Sequence, residues 1–102
     1  LTLGIGFYAV KYLINPDEYP IEDASRYIVP EGISYGIYII NLANDNKYNK
    51  QFRINDIILE VNGKKINYSF DIRSELDYIQ NGEKITFLVL RDNQEVTIEI
   101  QY

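Results

Sequence analysis

The stretch Ile54–Lys64, INDIILEVNGK, carries the strongest structural signal in the chain. Its middle part, Asp56–Val61 (DIILEV), is a short apolar run with β-branched residues, which is typical of a strand. Asn62 and Gly63 follow at once, and both central residues of a type I′ turn need a positive φ, which this pair adopts at low steric cost. The stretch therefore predicts a β-hairpin in which Lys64–Ile66 forms the short return strand.

Strand and helix patterns continue on both sides of this hairpin. Upstream, Leu3–Val10 and Gly36–Leu42 are short apolar runs that predict two strands, the second of them central in its sheet. Downstream, Ser69–Ile79 spaces its apolar residues by four and three, which predicts a helix. Its N-cap is predicted to be Asn67 or Ser69, because both side chains carry a suitable oxygen.

The remaining segments predict a closing hairpin and a short helix. Glu83–Leu90 and Val96–Ile100 alternate apolar and polar residues around Asp92-Asn93, so we expect two antiparallel strands there. Ile21–Ile28 lies between two prolines and is long enough for about two helical turns.

These patterns together predict a fold of the α+β class that is mainly β. About five to six strands, mostly antiparallel, would form a partly open β-barrel or sandwich that is capped by one long and one short helix. No long linker divides the 102 residues, so we expect residues 1–102 to form a single domain. The sequence has no Met, even at position 1, and we therefore expect it to be excised from a longer protein.

The composition excludes several kinds of chemistry. With no His and no Cys, the chain holds no Ser-His-Asp triad, no thiol nucleophile and no zinc site made of imidazole or thiolate. We therefore expect no catalytic residue, no metal site and no cofactor. The formal charge of −5 disfavours nucleic acid as a partner. No apolar run approaches the roughly 20 residues of a transmembrane helix, so we expect no direct insertion into a membrane.

Three segments resemble the PDZ family. Ile54–Lys64 resembles the family pattern G-D-[IV]-[IL]-x-x-[IV]-[ND]-G, with Asn55 in place of the first Gly. Asp71–Leu76 (DIRSEL) resembles the D-L-R-x-x-L of the helix that borders the peptide groove. Arg91–Glu95 (RDNQE) resembles the R-[DN]-G-x-x of the closing hairpin, with Asn93 in place of Gly. The resemblance covers nearly the whole chain and implies a PDZ-like fold.

The order of the segments resembles the permuted PDZ domains of bacteria, as in HtrA/Deg-like serine proteases. Leu3-Gly4-Ile5 comes first and is similar to the loop that binds a peptide's C-terminal carboxylate. Gly4–Phe7 (GIGF) matches the same loop two residues out of register, so both registers stay open, and we favour Leu3-Gly4-Ile5. The resemblance implies a peptide groove lined by Gly6, Phe7, Ile72, Arg73 and Leu76.

The resemblance implies a non-catalytic domain that captures C-terminal or exposed hydrophobic segments by β-strand addition. The implied parent is an HtrA-like serine endopeptidase that acts in extracytoplasmic protein quality control in bacteria, membrane-anchored or secreted. The expected partners are peptide or protein C-termini and the parent's own protease domain, and homo-oligomerisation of the parent is left open.

Other contexts for such a domain stay open. It could belong to a C-terminal processing protease or a site-2 protease, which also use permuted PDZ domains. It could belong to a scaffold or secretion protein without a protease. It could also be a structural spacer whose groove is covered by the long Asn15–Gly32 insertion.

Overall fold

One six-stranded antiparallel sheet and two α-helices form the architecture in the computed structural model, which describes all residues 1–102. The sheet has the strand order β1-β2-β3-β5-β6, and β4 pairs with β3. Neither helix is long and apolar enough to cross a lipid bilayer. The expected α+β, mainly β class is confirmed. The elements are β1 (Ile5–Ala9), α1 (Val10–Leu13), β2 (Ile37–Leu42), β3 (Ile57–Val61), β4 (Lys64–Lys65), α2 (Ser69–Asp77), β5 (Lys84–Arg91) and β6 (Gln94–Gln101).

Two tight turns set the register of the sheet. Asn62 (φ 51°) and Gly63 (φ 79°) connect β3 to β4, and both have the positive φ that a type I′ turn requires. Asp92 (φ 50°) and Asn93 (φ 63°) connect β5 to β6 in the same way. The side-chain oxygen of Asn62 also accepts a hydrogen bond from the N–H of Thr86 at 2.9 Å, which ties the first turn to β5. Both predicted hairpins are confirmed.

Side chains alternate between the two faces of the sheet, and each face has its own hydrophobic cluster. In β2, Ile37 and Ile39 belong to one cluster, which also holds Ile72 of α2. We call this side the front face. Tyr38 and Ile40 of the same strand belong to the other cluster, on the side that we call the rear face. The buried members of the rear cluster are Val10, Leu13, Tyr38, Ile57 and Leu59.

The segment between α1 and β2 covers the rear face. Its apolar side chains pack on the rear cluster, among them Ile21, Tyr27, Val29 and Ile33. The helix predicted over Ile21–Ile28 is wrong, because only a single 3-10 turn forms there, at Ala24–Arg26. Asp23 adopts a left-handed backbone (φ 57°), which interrupts a right-handed helix, and the apolar side chains before and after it contact the sheet instead.

The short helix of the fold is α1, which directly follows β1, and not the helix predicted over Ile21–Ile28. The strand predicted over Leu3–Val10 ends at Ala9, and the chain continues as α1, a single helical turn. Val10 and Leu13 are three residues apart, so both side chains lie on one side of this turn, and both are buried. Burial on the rear face therefore stabilises a helix that has no side-chain cap of its own.

The start of α2 also differs from the prediction in one detail. The N-cap residue is Tyr68 rather than Asn67 or Ser69. The carboxylate of Asp71 accepts hydrogen bonds from the N–H groups of Asn67 and Tyr68, both at 2.9 Å. Asp71, the third residue of the helix, therefore supplies the hydrogen bond of a capping box that runs back to the N-cap N–H.

A buried ion pair joins the start of β3 to the end of β5. The Asp56 carboxylate accepts hydrogen bonds from Nε (3.0 Å) and Nη2 (2.8 Å) of Arg91 and from the N–H of Arg53 (2.8 Å). The Asp56 side chain is only 2% exposed and that of Arg91 is 17% exposed. The hydrogen bond to Asp56 raises the pKa of Arg91 above its ordinary value.

Candidate functional site

β1 is an edge strand, because it pairs only with β2. Just before β1 the carbonyl of Gly4 accepts a hydrogen bond, and just after β1 the N–H of Val10 donates one. Both bonds are 2.8 Å long and lie on the side of β1 that faces β2. Backbone groups of successive residues in a strand point to alternate sides. The N–H and C=O groups of Ile5, Phe7 and Ala9 therefore face the open edge.

A groove of about 340 Å³ lies between this open edge and α2. The helix runs antiparallel to β1, as two contacts at opposite ends of the groove establish. At one end the nitrogen of Leu1 lies 3.5 Å from the carbonyl oxygen of Leu76. At the other end the rings of Tyr12 and Tyr68 approach to 5.7 Å between centroids. The lining residues are Leu1, Thr2, Leu3, Gly4, Ile5 and Phe7 on one side and Ser69, Ile72, Arg73, Leu76 and Asp77 on the other.

Most of the predicted site residues meet in this groove. Leu3, Gly4, Ile5, Phe7, Ile72, Arg73 and Leu76 all line it. Ile72 is also a buried member of the front cluster, whereas Leu76 is half-buried and Arg73 is exposed. Gly6 does not line the groove. An added Cβ at Gly6 would lie 3.2 Å from the Cβ of Asn41, its cross-strand partner in β2.

The geometry favours the Leu3-Gly4-Ile5 register for the loop at the end of the groove. Gly4 has a left-handed backbone (φ 60°), whereas Gly6 lies inside β1 and has no positive φ. An added Cβ at Gly4 would lie 3.0 Å from the Cβ of Ala43, so the position requires glycine for both conformation and space.

Two asparagines hold this loop from behind. The Nδ2 of Asn46 donates to the carbonyl of Thr2 at 2.8 Å, and the Nδ2 of buried Asn49 donates to that of Leu3 at 3.0 Å. The carbonyl of Gly4 is also bonded on this side. The N–H groups of Leu3 and Gly4 donate to no backbone carbonyl. Neither asparagine could be recognised from the sequence, because an Asn-rich polar segment predicts only a loop.

This arrangement has the chemical properties of a binding site for the C-terminus of a polypeptide. Consecutive unpaired N–H groups beside a left-handed residue form a concavity that binds anions. The side chains of Ile5 and Leu76 place apolar surface next to these donors. The open edge of β1 offers donors and acceptors to an added strand. The groove can therefore hold an extended backbone, a terminal anion and an apolar side chain together.

The charged residues of the groove are Arg73 and Asp77, both exposed on α2. Since α2 runs antiparallel to β1, Asp77 is at the end nearest the Gly4 loop and Arg73 lies one turn away from it. An anion bound at the loop would be repelled by Asp77 and attracted by Arg73. Behind the groove, Lys64 forms a 3.0 Å ion pair with Glu75, which links β4 to α2.

The insertion leaves the groove uncovered. No residue of the Asn15–Gly32 segment lines it, and apolar side chains of this segment from Ile21 onward pack on the rear face. The alternative in which the insertion folds over the groove is therefore wrong.

Comparison with known proteins agrees with this geometry. A family model described as PDZ domain matches residues 2–102. The HtrA-type protease AlgW with decapeptide is similar in structure, with a TM-score of 0.72 and 20% identity over 98% of this chain. This chain spans 28% of the length of that protease chain. The HtrA3 PDZ domain bound to a phage-derived ligand (FGRWV) has a TM-score of 0.70 and 22% identity, covering 98% of this chain and 83% of that one. No curated protein matches the sequence.

At these identities the structural likeness shows the fold, which is that of HtrA-type PDZ domains, as predicted. The match to the family model extends over almost the entire sequence and includes both walls of the groove. The chain belongs to the PDZ domain family.

Proposed function

We propose that the groove binds the C-terminal segment of a peptide or protein in extended form. The ligand adds a strand to the open edge of β1, antiparallel to it, and exchanges backbone hydrogen bonds with Ile5 and Phe7. Its terminal carboxylate accepts hydrogen bonds from the N–H groups of Leu3, Gly4 and Ile5. Its last side chain is apolar and enters the space between Ile5 and Leu76.

The observation that carries this proposal is the combination of an open strand edge with unpaired N–H groups at one of its ends. The carbonyls of Thr2, Leu3 and Gly4 are already bonded on the opposite side, so the loop is held in shape before a ligand arrives. Preorganisation of this kind reduces the ordering cost of binding. The peptide-bound states of the AlgW and HtrA3 structures support the same use of the fold.

The affinity should be moderate. The interface is small, and a free peptide loses conformational entropy when it is ordered as a strand. We therefore expect dissociation constants on the order of micromolar, equivalent to about −8 kcal/mol.

The test is an NMR titration of the ¹⁵N-labelled domain with the pentapeptide FGRWV, once as the free acid and once as the C-terminal amide, alongside other pentapeptides that end in Val, Leu or Ile. We expect shifts at residues 3–7 and 72–76, and about tenfold weaker binding of the amide, because a charge-assisted acceptor is lost. Leu76→Ala should weaken binding. Leu88→Ala, a half-buried leucine of the rear face, is the matched control and should not. The absence of shifts in the groove at millimolar concentrations of every peptide would refute the proposal.

We also propose that the domain serves a parent protease of the HtrA-like serine endopeptidase type, which acts on misfolded proteins outside the cytoplasm of a bacterium. PDZ domains are non-catalytic, and this chain has neither His nor Cys, so cleavage would take place in another domain. The likeness of the fold to HtrA-type PDZ domains supports this proposal.

The open reading frame that contains this segment tests the protease proposal. A Gly-Asn-Ser-Gly-Gly or Gly-Asp-Ser-Gly-Gly motif in an upstream domain is the expected result. A His-Glu-x-x-His motif among transmembrane segments, or no protease domain at all, would contradict it. Fusion of the natural N-terminal region to alkaline phosphatase, which is active only after export, tests the location.

A further inference from the structure

Three tyrosine rings form a cluster at the end of the groove that lies farthest from the Gly4 loop. The ring centroids of Tyr12 and Tyr19 are 4.7 Å apart, and those of Tyr12 and Tyr68 are 5.7 Å apart. Tyr19 and Tyr68 are each 41% exposed, so part of their ring surface is open to solvent. We call these three residues the tyrosine cluster.

The tyrosine cluster joins the two walls of the groove. Tyr12 lies on α1, which follows β1 without a break, and Tyr68 is the N-cap residue of α2. The neighbouring residue Ser69 lines the groove, and so does Phe7 on the other wall. A ligand that runs antiparallel along β1 from the Gly4 loop therefore leaves the groove at the tyrosine cluster.

The rings of the cluster are free of cations from the chain itself. Elsewhere in the domain three tyrosines have a Lys or Arg over the ring, at 4.3 to 5.9 Å from the centroid: Tyr35 with Lys65, Tyr48 with Lys47 and Tyr27 with Arg26. No such contact involves Tyr12, Tyr19 or Tyr68. Glu18 directly precedes Tyr19 in the chain, and the negative charge of Glu18 is the main cause that raises the pKa of the Tyr19 phenol.

We propose that the tyrosine cluster and Glu18 form a subsite for a Lys or Arg side chain of the ligand, upstream of the residues held in the groove. Ring faces attract cations through their quadrupole, and an adjacent carboxylate adds to this attraction. The net charge of −5 acts in the same direction. The inference rests on the proposed binding of a peptide C-terminus.

The position of the basic residue follows from the strand register. If the last ligand residue lies opposite Ile5, antiparallel pairing places the third from the end opposite Phe7 and the fifth opposite Ala9. The next residue passes the end of β1, where α1 carries Tyr12. The basic side chain is therefore assigned to the sixth residue from the C-terminus.

The experiment compares heptapeptides Gly-Xaa-Phe-Gly-Arg-Trp-Val in which Xaa is Lys, Ala or Glu, with binding measured by fluorescence anisotropy at two salt concentrations. We expect the Lys peptide to bind about three- to tenfold more tightly than the Ala peptide, and the Glu peptide more weakly than both. The Lys preference should shrink in high salt, because exposed charges are screened.

Two variants and a control locate the effect. Glu18→Gln and Tyr19→Leu should each bring the ratio between the Lys and Ala peptides closer to one. Glu22→Gln removes an exposed charge from the same insertion and should leave the ratio as it is. Two results would refute the subsite while leaving the proposed peptide binding in the groove intact. In the first, FGRWV binds but the Lys, Ala and Glu peptides bind equally well. In the second, both variants keep the full preference for the Lys peptide. If no peptide binds, the proposed function fails and the subsite fails with it.

Discussion

Replacing Gly4 by alanine should destabilise the domain by about 2–3 kcal/mol. A non-glycine residue in the left-handed region costs roughly 1–2 kcal/mol, and Gly4 has a φ of 60°. The new Cβ would also lie 3.0 Å from the Cβ of Ala43 and 3.2 Å from the Cβ and Nδ2 of Asn46. Displacing Asn46 weakens its hydrogen bond to the carbonyl of Thr2, which contributes about 1 kcal/mol more.

Urea unfolding followed by tyrosine fluorescence measures this loss. Gly63→Ala is the matched control, because Gly63 also has a positive φ (79°) but an added Cβ would meet nothing within 4 Å. The control should lose only the conformational part, about 1–2 kcal/mol. Equal losses in the two variants would show that crowding against the 43–46 loop contributes nothing.

The same pair of variants separates the binding role of Gly4 from its structural role. Under conditions where both variants are folded, Gly4→Ala should bind FGRWV at least about tenfold more weakly, because a shifted loop no longer directs its N–H groups at the ligand carboxylate. Gly63→Ala should bind like the unaltered chain, because Gly63 lies in the β3–β4 turn. Unchanged affinity in folded Gly4→Ala would refute the assignment of the carboxylate to this loop.

Three further changes test other parts of the structure. Asp56→Asn should destabilise the domain by about 3 kcal/mol in urea unfolding. The substitution removes the negative charge that neutralises the guanidinium of Arg91 in a nearly buried position. A loss below about 1 kcal/mol would contradict this expectation. Asp77→Asn should tighten the binding of carboxylate-terminated peptides about twofold and leave that of amidated peptides unchanged. Burial raises the pKa of Tyr38 above 10.0, so the folded chain holds this proton more strongly than the unfolded chain does. The stability from Tyr38 is therefore complete below pH 10 and is lost as the pH rises further, and Tyr38→Phe should make the alkaline decline in unfolding free energy shallower.

The sequence predicted those features that depend on a few neighbouring residues. The Asn62-Gly63 and Asp92-Asn93 turns follow from which residues tolerate a positive φ, and this preference is local. Asn55 is instructive, because it stands where the PDZ pattern has glycine and still adopts a φ of 80°. Its side-chain oxygen also accepts a hydrogen bond from the hydroxyl of Tyr38 at 3.1 Å, which glycine could not do.

Features that depend on distant contacts escaped prediction. α1 is one turn long, and it is stabilised by the burial of Val10 and Leu13 against strands that come much later in the chain. For the segment around Asp23 the error is the opposite one: a helix is predicted and does not form. Its composition permits a helix, but its apolar side chains pack on the rear face instead. The role of Asn49 depends on a partner 46 residues away, which no local pattern reveals.

The open edge of β1 poses a hazard, because an unpaired strand edge can join with edges of other molecules. Three features of this domain limit that hazard while they leave room for one peptide. β1 has only five residues, and the register with β2 shifts between Gly6 and Phe7, a bulge that adds local twist. α2 lies along the front of the edge and leaves a groove of about 340 Å³, and a helix that covers a strand edge in this way limits pairing with other sheets. The half-buried Leu76 then has a simple explanation: its exposed part is the surface that an incoming strand would cover.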